Sequence, residues 1–319
     1  MNRPTISLVL PVYDEAPVLG ELARRLAAFL AGLEESWEVI FVDDGSTDGS
    51  FDRLRELCLA DQRYRLVRLS RNFGHQLAIT AGLDYARGDA VVVMDADLQD
   101  PPDVVREMID LHRQGFDVVY GVRVRREGEG LFKRCTAAVF YRVLRVLVGV
   151  PIPLNAGDFR LMSRRVVVTM RALRETNRFV RGMVAWIGFR QTSVQYVRKG
   201  RAAGKTHYPL RRMIRFALDG ILSFSTLPLR LAIWLGAVAG LLGIAVAIWA
   251  VAAYLAGRTI PGWATIMVAV ALASSAQLMM TGVLGEYVGR IYDEVKRRPL
   301  YVVMEEVNAE RERDNSQGA

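Results

Sequence analysis

Ala90-Val-Val-Val-Met-Asp95-Ala-Asp97-Leu-Gln-Asp100-Pro-Pro102 decides how this chain is read. Its apolar opening, rich in valine, has the pattern of a strand buried on both faces, as in a parallel sheet. The run ends on two carboxylates spaced two residues apart, just after the strand. Working outward, residues 6–12, 38–42, 65–69 and 117–120 read as further strands. Between them lie helical patterns: about 17–30, with Val18, Leu22, Leu26 and Phe29 as a stripe, then a helix to about Ala60, then 72–85. Strands alternating with helices predict an α/β fold, a Rossmann-like, mostly parallel sheet covered on both faces. Ligands in such sheets gather beyond the carboxyl ends of the strands, where Asp43, Asp44, Asp95 and Asp97 fall.

Composition separates two regimes. Residues 1–225 read as a cytoplasmic domain, whereas 231–257 and 259–285 are two stretches of 27 residues without Asp, Glu, Lys or Arg. Roughly 20 residues cross a bilayer as a helix. Only Arg258 separates the stretches, beside the helix breakers Gly257 and Pro261, so 226–290 reads as a two-helix transmembrane hairpin. A hairpin buried in a soluble core is disfavoured, because a domain of this size rarely encloses two such helices. Arg211, Arg212, Arg215 and Arg230 precede the hairpin, and Arg290, Lys296, Arg297 and Arg298 follow it. Both termini, including a tail at 291–319 whose end from Asn308 reads as disordered, are therefore expected in the cytoplasm. Residues 1–7 lack an apolar core, so no cleaved signal peptide is expected.

Residues 131–150 and 209–223 mix apolar side chains with arginines, as juxtamembrane amphipathic helices do. For the first, packing on the sheet is an equal alternative. Lys and Arg number 42 against 34 Asp and Glu, a net charge of +8. Beside apolar spans this favours anionic lipid as partner, and no motif points to nucleic acid. Cys58 and Cys135 read as free thiols, and the three histidines form no zinc pattern. His112 falls on a surface helix, and His75 reads as a helix cap in preference to a donor contact. The sequence has neither GxGxxG after the first strand nor GxxxxGK[ST], which argues against a dinucleotide oxidoreductase and a P-loop ATPase.

Asp95 and Asp97 suit Mg²⁺ or Mn²⁺ shared with phosphate oxygens, a cation that neutralises a departing diphosphate. Residues 11–15 and 43–46 offer an aromatic face and carboxylates for a base and its ribose.

The run Ser7-Leu-Val-Leu-Pro-Val-Tyr-Asp-Glu15, with Val42-Asp-Asp-Gly-Ser-Thr-Asp48, Ser70-Arg-Asn-Phe-Gly-His75, Asp95-Ala-Asp-Leu-Gln-Asp100, Gly157-Asp-Phe-Arg-Leu-Met162 and Gly204-Lys-Thr-His-Tyr208, resembles family 2 inverting glycosyltransferases of GT-A fold. With the two spans, the whole chain resembles the polyprenyl-phosphate glycosyltransferases, which include bactoprenol glucosyltransferase and dolichyl-phosphate mannose synthase. The resemblance implies that Pro11, Tyr13, Glu15, Asp43, Asp44 and Arg71 hold the nucleotide of a nucleotide-sugar donor, together with Asp95, Ala96 and Asp97. It implies that Asp95, Asp97 and Gln99 surround the metal, and that Arg201 and Lys205 lie on a loop closing over the donor. Arg123, Arg134 and Arg160 would meet the acceptor phosphate. Asp158 would act near the acceptor, orienting the phosphate or Arg160, or would pair with Arg160 structurally.

The implied reaction is transfer of one sugar, with glucose from UDP-glucose favoured, to undecaprenyl phosphate at the cytoplasmic face of the bacterial inner membrane. GDP-mannose and UDP-modified-arabinose transferases share the same elements. A processive synthase is disfavoured because no QxxRW-type signature follows Asp158, and the intact acidic set disfavours a scaffold without catalysis. The family also implies a homo-oligomer, with a tetramer as its form. A lipid monophosphate has its second pKa near ~6 to 7, so a strong general base is dispensable.

Overall fold

The computed structural model describes residues 4–123, 156–197, 227–257 and 262–309. They fall into two units, one holding every strand and the other holding two long helices.

In the first unit, β1 (Ile6–Val12), β2 (Trp37–Asp43), β3 (Tyr64–Leu69) and β4 (Ala90–Val93) run parallel, with β1 between β4 and β2. All seven residues of β1 are buried, as a strand covered on both faces requires. The crossovers carry α1 (Ala16–Ala31), α2 (Ser50–Ala60) and α3 (His75–Tyr85). On α1, Val18, Leu22, Leu26 and Phe29 are buried, the stripe expected from their spacing. Helix α3 lies so close to the sheet that a Cβ on Gly82 would meet Val9 Cγ1 at 2.1 Å.

Helix α3 begins at His75, three residues later than its apolar pattern suggests. The Asp44 carboxylate accepts the N–H groups of Phe73 (2.7 Å) and Gly74 (2.9 Å), drawing both into the preceding turn. Gly74 has φ +100°, which suits glycine and excludes helix.

Two of the remaining strands run against the others, within a sheet that is mostly parallel as expected. Beyond α4 (Asp103–Arg113), β5 (Val118–Arg123), β6 (Ala156–Ser163) and β7 (Gln191–Tyr196) extend the sheet, with α5 (Arg164–Ala172) and α6 (Val180–Ile187) between the last two strands. Strand β6 lies antiparallel between β4 and β5. Strand β8 (Val303–Val307) pairs antiparallel with β3, giving the order β7-β5-β6-β4-β1-β2-β3-β8. The segment after the apolar helices is thus not a separate tail up to this point but an edge strand of the same sheet. It is short and half exposed, and its charged residues conceal it in the sequence.

Several contacts fasten β8. Tyr301 donates to Asp84 at 2.7 Å, Asn308 Nδ2 to the Tyr64 carbonyl at 3.1 Å, and Arg65 Nε to the Asn308 carbonyl at 3.0 Å. Arg65 also reaches Glu38 at 2.8 Å, and both side chains are buried.

The second unit consists of α7 (Leu227–Leu255) and α8 (Trp263–Val295), which touch each other. Among the described residues, one stretch, Leu231–Ala253, is long and apolar enough to cross a membrane: 23 residues of mean hydropathy 2.4, none buried. The second expected span begins outside the described residues. The expected amphipathic helices at 131–150 and 209–223, the turn at Arg258 and Cys135 also lie outside them.

Removing one partner of a buried ion pair leaves an uncompensated charge, at a cost of about 3–5 kcal/mol. Arg65→Met is therefore expected to lower the thermal midpoint of the first unit by many degrees, read by tryptophan fluorescence.

Candidate active site

Strand β6 creates the site by its register. Its pairing with β4 sets Val93 opposite Arg160, so two residues beyond the ladder Asp95 comes opposite Asp158. Two carboxylates from distant parts of the chain then share one partly buried space. His75, at the start of α3, stands between them, with Nε2 at 3.5 Å from Asp95 and 3.4 Å from Asp158. It is not the cap of its helix, a role that falls to Gly74.

Asp158 is surrounded by donors. Arg181 on α6 grips it with both arms of its guanidinium, Nε to Oδ1 at 2.9 Å and Nη2 to Oδ2 at 2.8 Å. Arg160 Nη2 reaches Oδ1 at 3.4 Å, and Gln76 Nε2 reaches Oδ2 at 3.5 Å. Gln76 in turn accepts the Val180 N–H at 3.0 Å, tying the first residue of α6 to α3.

This asymmetry separates the two acids. Burial opposes charge on Asp158, but the Arg181 charge and the hydrogen bonds from His75 and Arg181 outweigh it and hold the carboxyl well below its usual range. At Asp95 burial prevails: His75 offsets it, Asp100, Asp158 and Asp97 add to it, and the pKa rises to about 6. For His75, burial is outweighed by Asp158 and Asp95, and its pKa rises.

The other expected residues take varied places. Asp97 Oδ1 accepts the Gln99 N–H at 3.1 Å across Leu98, which holds φ +63°. Ala96 and Gln99 are buried. Asp100 accepts the Tyr196 hydroxyl at 2.6 Å, and Tyr196 accepts Arg123 Nε at 3.3 Å. Arg123 thereby enters the site, and a Cβ on Gly157 would collide with its guanidinium at 2.6 Å. Arg160 is only 1% exposed; it donates to the Gly157 and Asp158 carbonyls and lies against the Tyr120 ring. Its guanidinium is thus held in the interior, beside Asp158. Arg134, Arg201 and Lys205 lie outside the described residues, as does His207.

On the nucleotide side, Tyr13 is exposed and Glu15 partly so, while Pro11 is buried. Arg71 lies over the Phe73 ring at 4.0 Å. Asp43 and Asp44 are buried, their pKa values raised by that burial. Asp43 accepts the Ser46 N–H at 3.1 Å and faces Arg68 at 3.5 Å, so with Asp44 it shapes the turns after β2 and β3. A surface hollow of about 750 Å³ near Trp37 and Tyr64 lies at the opposite edge of the sheet and contains none of these groups.

Among the described residues, no group of three or more His, Cys, Asp and Glu forms a complete metal cage. The donor set nevertheless suits a divalent cation shared with a ligand. Mg²⁺ sites commonly combine one or two carboxylates with substrate phosphates, and Asp95 carries excess local negative charge.

Residues 7–170, from β1 into α5, match the family Glycosyl transferase family 2. The chain belongs to that family. The uncharacterized glycosyltransferase YkcC of Bacillus subtilis (strain 168) is 48% identical over 96% of this chain and 95% of its own length. The SfII prophage-derived bactoprenol glucosyl transferase of Shigella flexneri is 37% identical over 93% of this chain and 97% of its own. Among solved structures, the Pyrobaculum calidifontis mannosyltransferase PcManGT, in complex with GDP-Man and Mn²⁺, is 20% identical, with 92% of this chain and 88% of that one covered and a TM-score of 0.45.

The raised pKa of Asp95 has a sign that can be tested. A carboxyl whose pKa is higher folded than unfolded destabilises the fold when ionised; the penalty is complete above about pH 6 and vanishes below the ordinary value of 3.8. With chelator present, Asp95→Asn is expected to raise the thermal midpoint at pH 7.5 and to lose that advantage below about pH 4.

Proposed function

We propose that this glycosyltransferase moves a single sugar from a nucleoside diphosphate sugar, UDP-glucose by preference, to a polyprenyl phosphate such as undecaprenyl phosphate. One observation carries the reading. The chain leaves the catalytic sheet after β7, passes through two long helices, one apolar enough to span a membrane, and returns to pair β8 with β3. An acidic nucleotide-sugar site and an apolar excursion thus begin and end in one folded unit. Strands of one sheet lie on one side of a bilayer, so the helices cross an even number of times. This supports the two-helix hairpin, and the basic residues that flank it support a cytoplasmic catalytic domain and termini at a bacterial inner membrane. The relatives named for bactoprenol support the lipid acceptor and glucose.

In this reading Tyr13, Glu15 and Arg71 border the nucleoside, and Asp43 and Asp44 keep its turns in shape. Asp95 and Asp97, with Gln99 nearby, would hold Mg²⁺ or Mn²⁺, whose chemistry when bound is to neutralise charge developing on the diphosphate. Arg201 and Lys205 would cover the donor, and Arg123 and Arg134 would steady phosphate groups. An oxygen of the acceptor phosphate attacks the anomeric carbon, and the carbon–oxygen bond to the diphosphate breaks. Its electron pair leaves with the nucleoside diphosphate. Attack opposite the leaving group converts an α-linked donor into a β-linked lipid-phosphate sugar. We further propose that the chain self-associates, as a tetramer.

Incubating the protein with UDP-glucose, other UDP-sugars or GDP-mannose and undecaprenyl phosphate, with and without Mg²⁺ or Mn²⁺, is expected to add one hexose per lipid by mass spectrometry. Asp97→Ala is expected to lower turnover by roughly 100-fold or more, as when a transition-state charge loses its partner. A lengthening polymer, or no lipid product with any donor, would sink the proposal.

A further inference from the structure

We infer that Arg181, aimed by Asp158, is the seat of the acceptor phosphate, and that Asp158 is an anchor rather than a base. The inference rests on the proposed transfer to a lipid phosphate and assigns a residue that the sequence motifs left out.

Its first support is the occupancy of Asp158. Oδ1 accepts from Arg181 Nε and Arg160 Nη2, and Oδ2 from Arg181 Nη2, with Gln76 Nε2 and His75 Nε2 close by. A general base must lie within hydrogen-bond reach of the proton it takes and have an oxygen to receive it. Here both oxygens already face cationic or amide donors. The second support is the order of exposure. The Asp158 side chain is 5% exposed, whereas Arg181 is 26% and His75 44% exposed. A ligand approaching Asp158 therefore meets the cations first.

The third support is rigidity. The two-armed contact fixes the plane of the Arg181 guanidinium, and the bond between Gln76 and the Val180 N–H fixes the turn of α6 that carries it. A guanidinium whose plane is held beforehand loses little entropy when an anion binds it. Asp95 marks the donor side and stands opposite Asp158 across His75, so a phosphate at Arg181 lies beside the reacting centre. The acceptor oxygen arrives ionised, forms the bond to the anomeric carbon and gives up no proton. The site thus selects a phosphate monoester over a neutral alcohol.

The test uses full-length protein in detergent with undecaprenyl phosphate, or the alcohol undecaprenol, and the donor that supports wild-type transfer. Arg181→Ala is expected to raise the acceptor KM roughly 10- to 100-fold, in line with loss of a charged hydrogen-bond pair. The donor KM should stay within about twofold, and Arg181→Lys should restore part of the loss. A merely structural arginine would lower active protein without moving the acceptor KM alone. Should Arg181→Ala fail to fold, Arg181→Lys decides by the same ratio of acceptor to donor KM. Undecaprenol is expected to receive no sugar. An unchanged acceptor KM in the folded variant would overturn the inference, as would efficient transfer to undecaprenol. So would an Asp158→Asn variant that loses about 1000-fold in kcat at saturating acceptor with its KM unmoved, the mark of a missing base. If wild-type protein makes no sugar-lipid at all, the proposed reaction itself fails, a result distinct from each of these.

Discussion

Asp95 and Asp158 face each other because β6 runs antiparallel beside β4, and two facing acids with little water need cations around them. The protein answers unequally. Arg181, Arg160 and His75 converge on Asp158, whereas Asp95 has His75 on one side and further acids on the other. Like charges brought together in this way part their proton affinities, one down and one up. The depressed acid becomes a fixed anion that organises arginines, and the raised one keeps a higher proton affinity beside further acids.

Much of the surrounding architecture serves that arrangement. Gly74 and the Asp44 carboxylate end the β3 turn abruptly, so α3 starts with His75 and Gln76 directed at the site. Gln76 then holds α6, which brings Arg181. On the other flank Tyr196 from β7 joins Asp100 to Arg123 of β5, and Gly157 leaves room for that arginine. Three strands and two helices, remote in sequence, thus meet around a few charges.

The sheet also explains how one chain carries two kinds of surface. The α/β unit buries its apolar residues in its own core, while α7 presents Ile233, Trp234, Leu241 and Leu242 outward. Exposed apolar surface on that scale is costly in water and suited to lipid. Strand β8, fastened through Asn308, Tyr301 and the Arg65–Glu38 pair, brings the chain back to its own sheet. The apolar helices are consequently an insertion into a domain, closed at both ends.

Local patterns made the parallel half of the fold legible. Apolar runs in β1 to β4, the α1 stripe, the acidic tip at Asp95 and Asp97 and the long uncharged stretches all depend on neighbours in sequence, where periodicity and composition are informative. The motifs extended this to the glycosyltransferase family. Strands β6, β7 and β8 escaped, because buried Asp158 and Arg160 break the apolar signature of the first and partly exposed polar residues conceal the other two. His75 read as a cap, and Arg181 was given no role, because its contact with Asp158 joins segments 23 residues apart. Sequence alone therefore determined which chemistry is available: carboxylates at strand ends, cations, and apolar helices. Tertiary structure alone decided which charge faces which, because the pairing of Asp158 with Arg181 and its place opposite Asp95 follow from strand register and helix packing between segments distant along the chain.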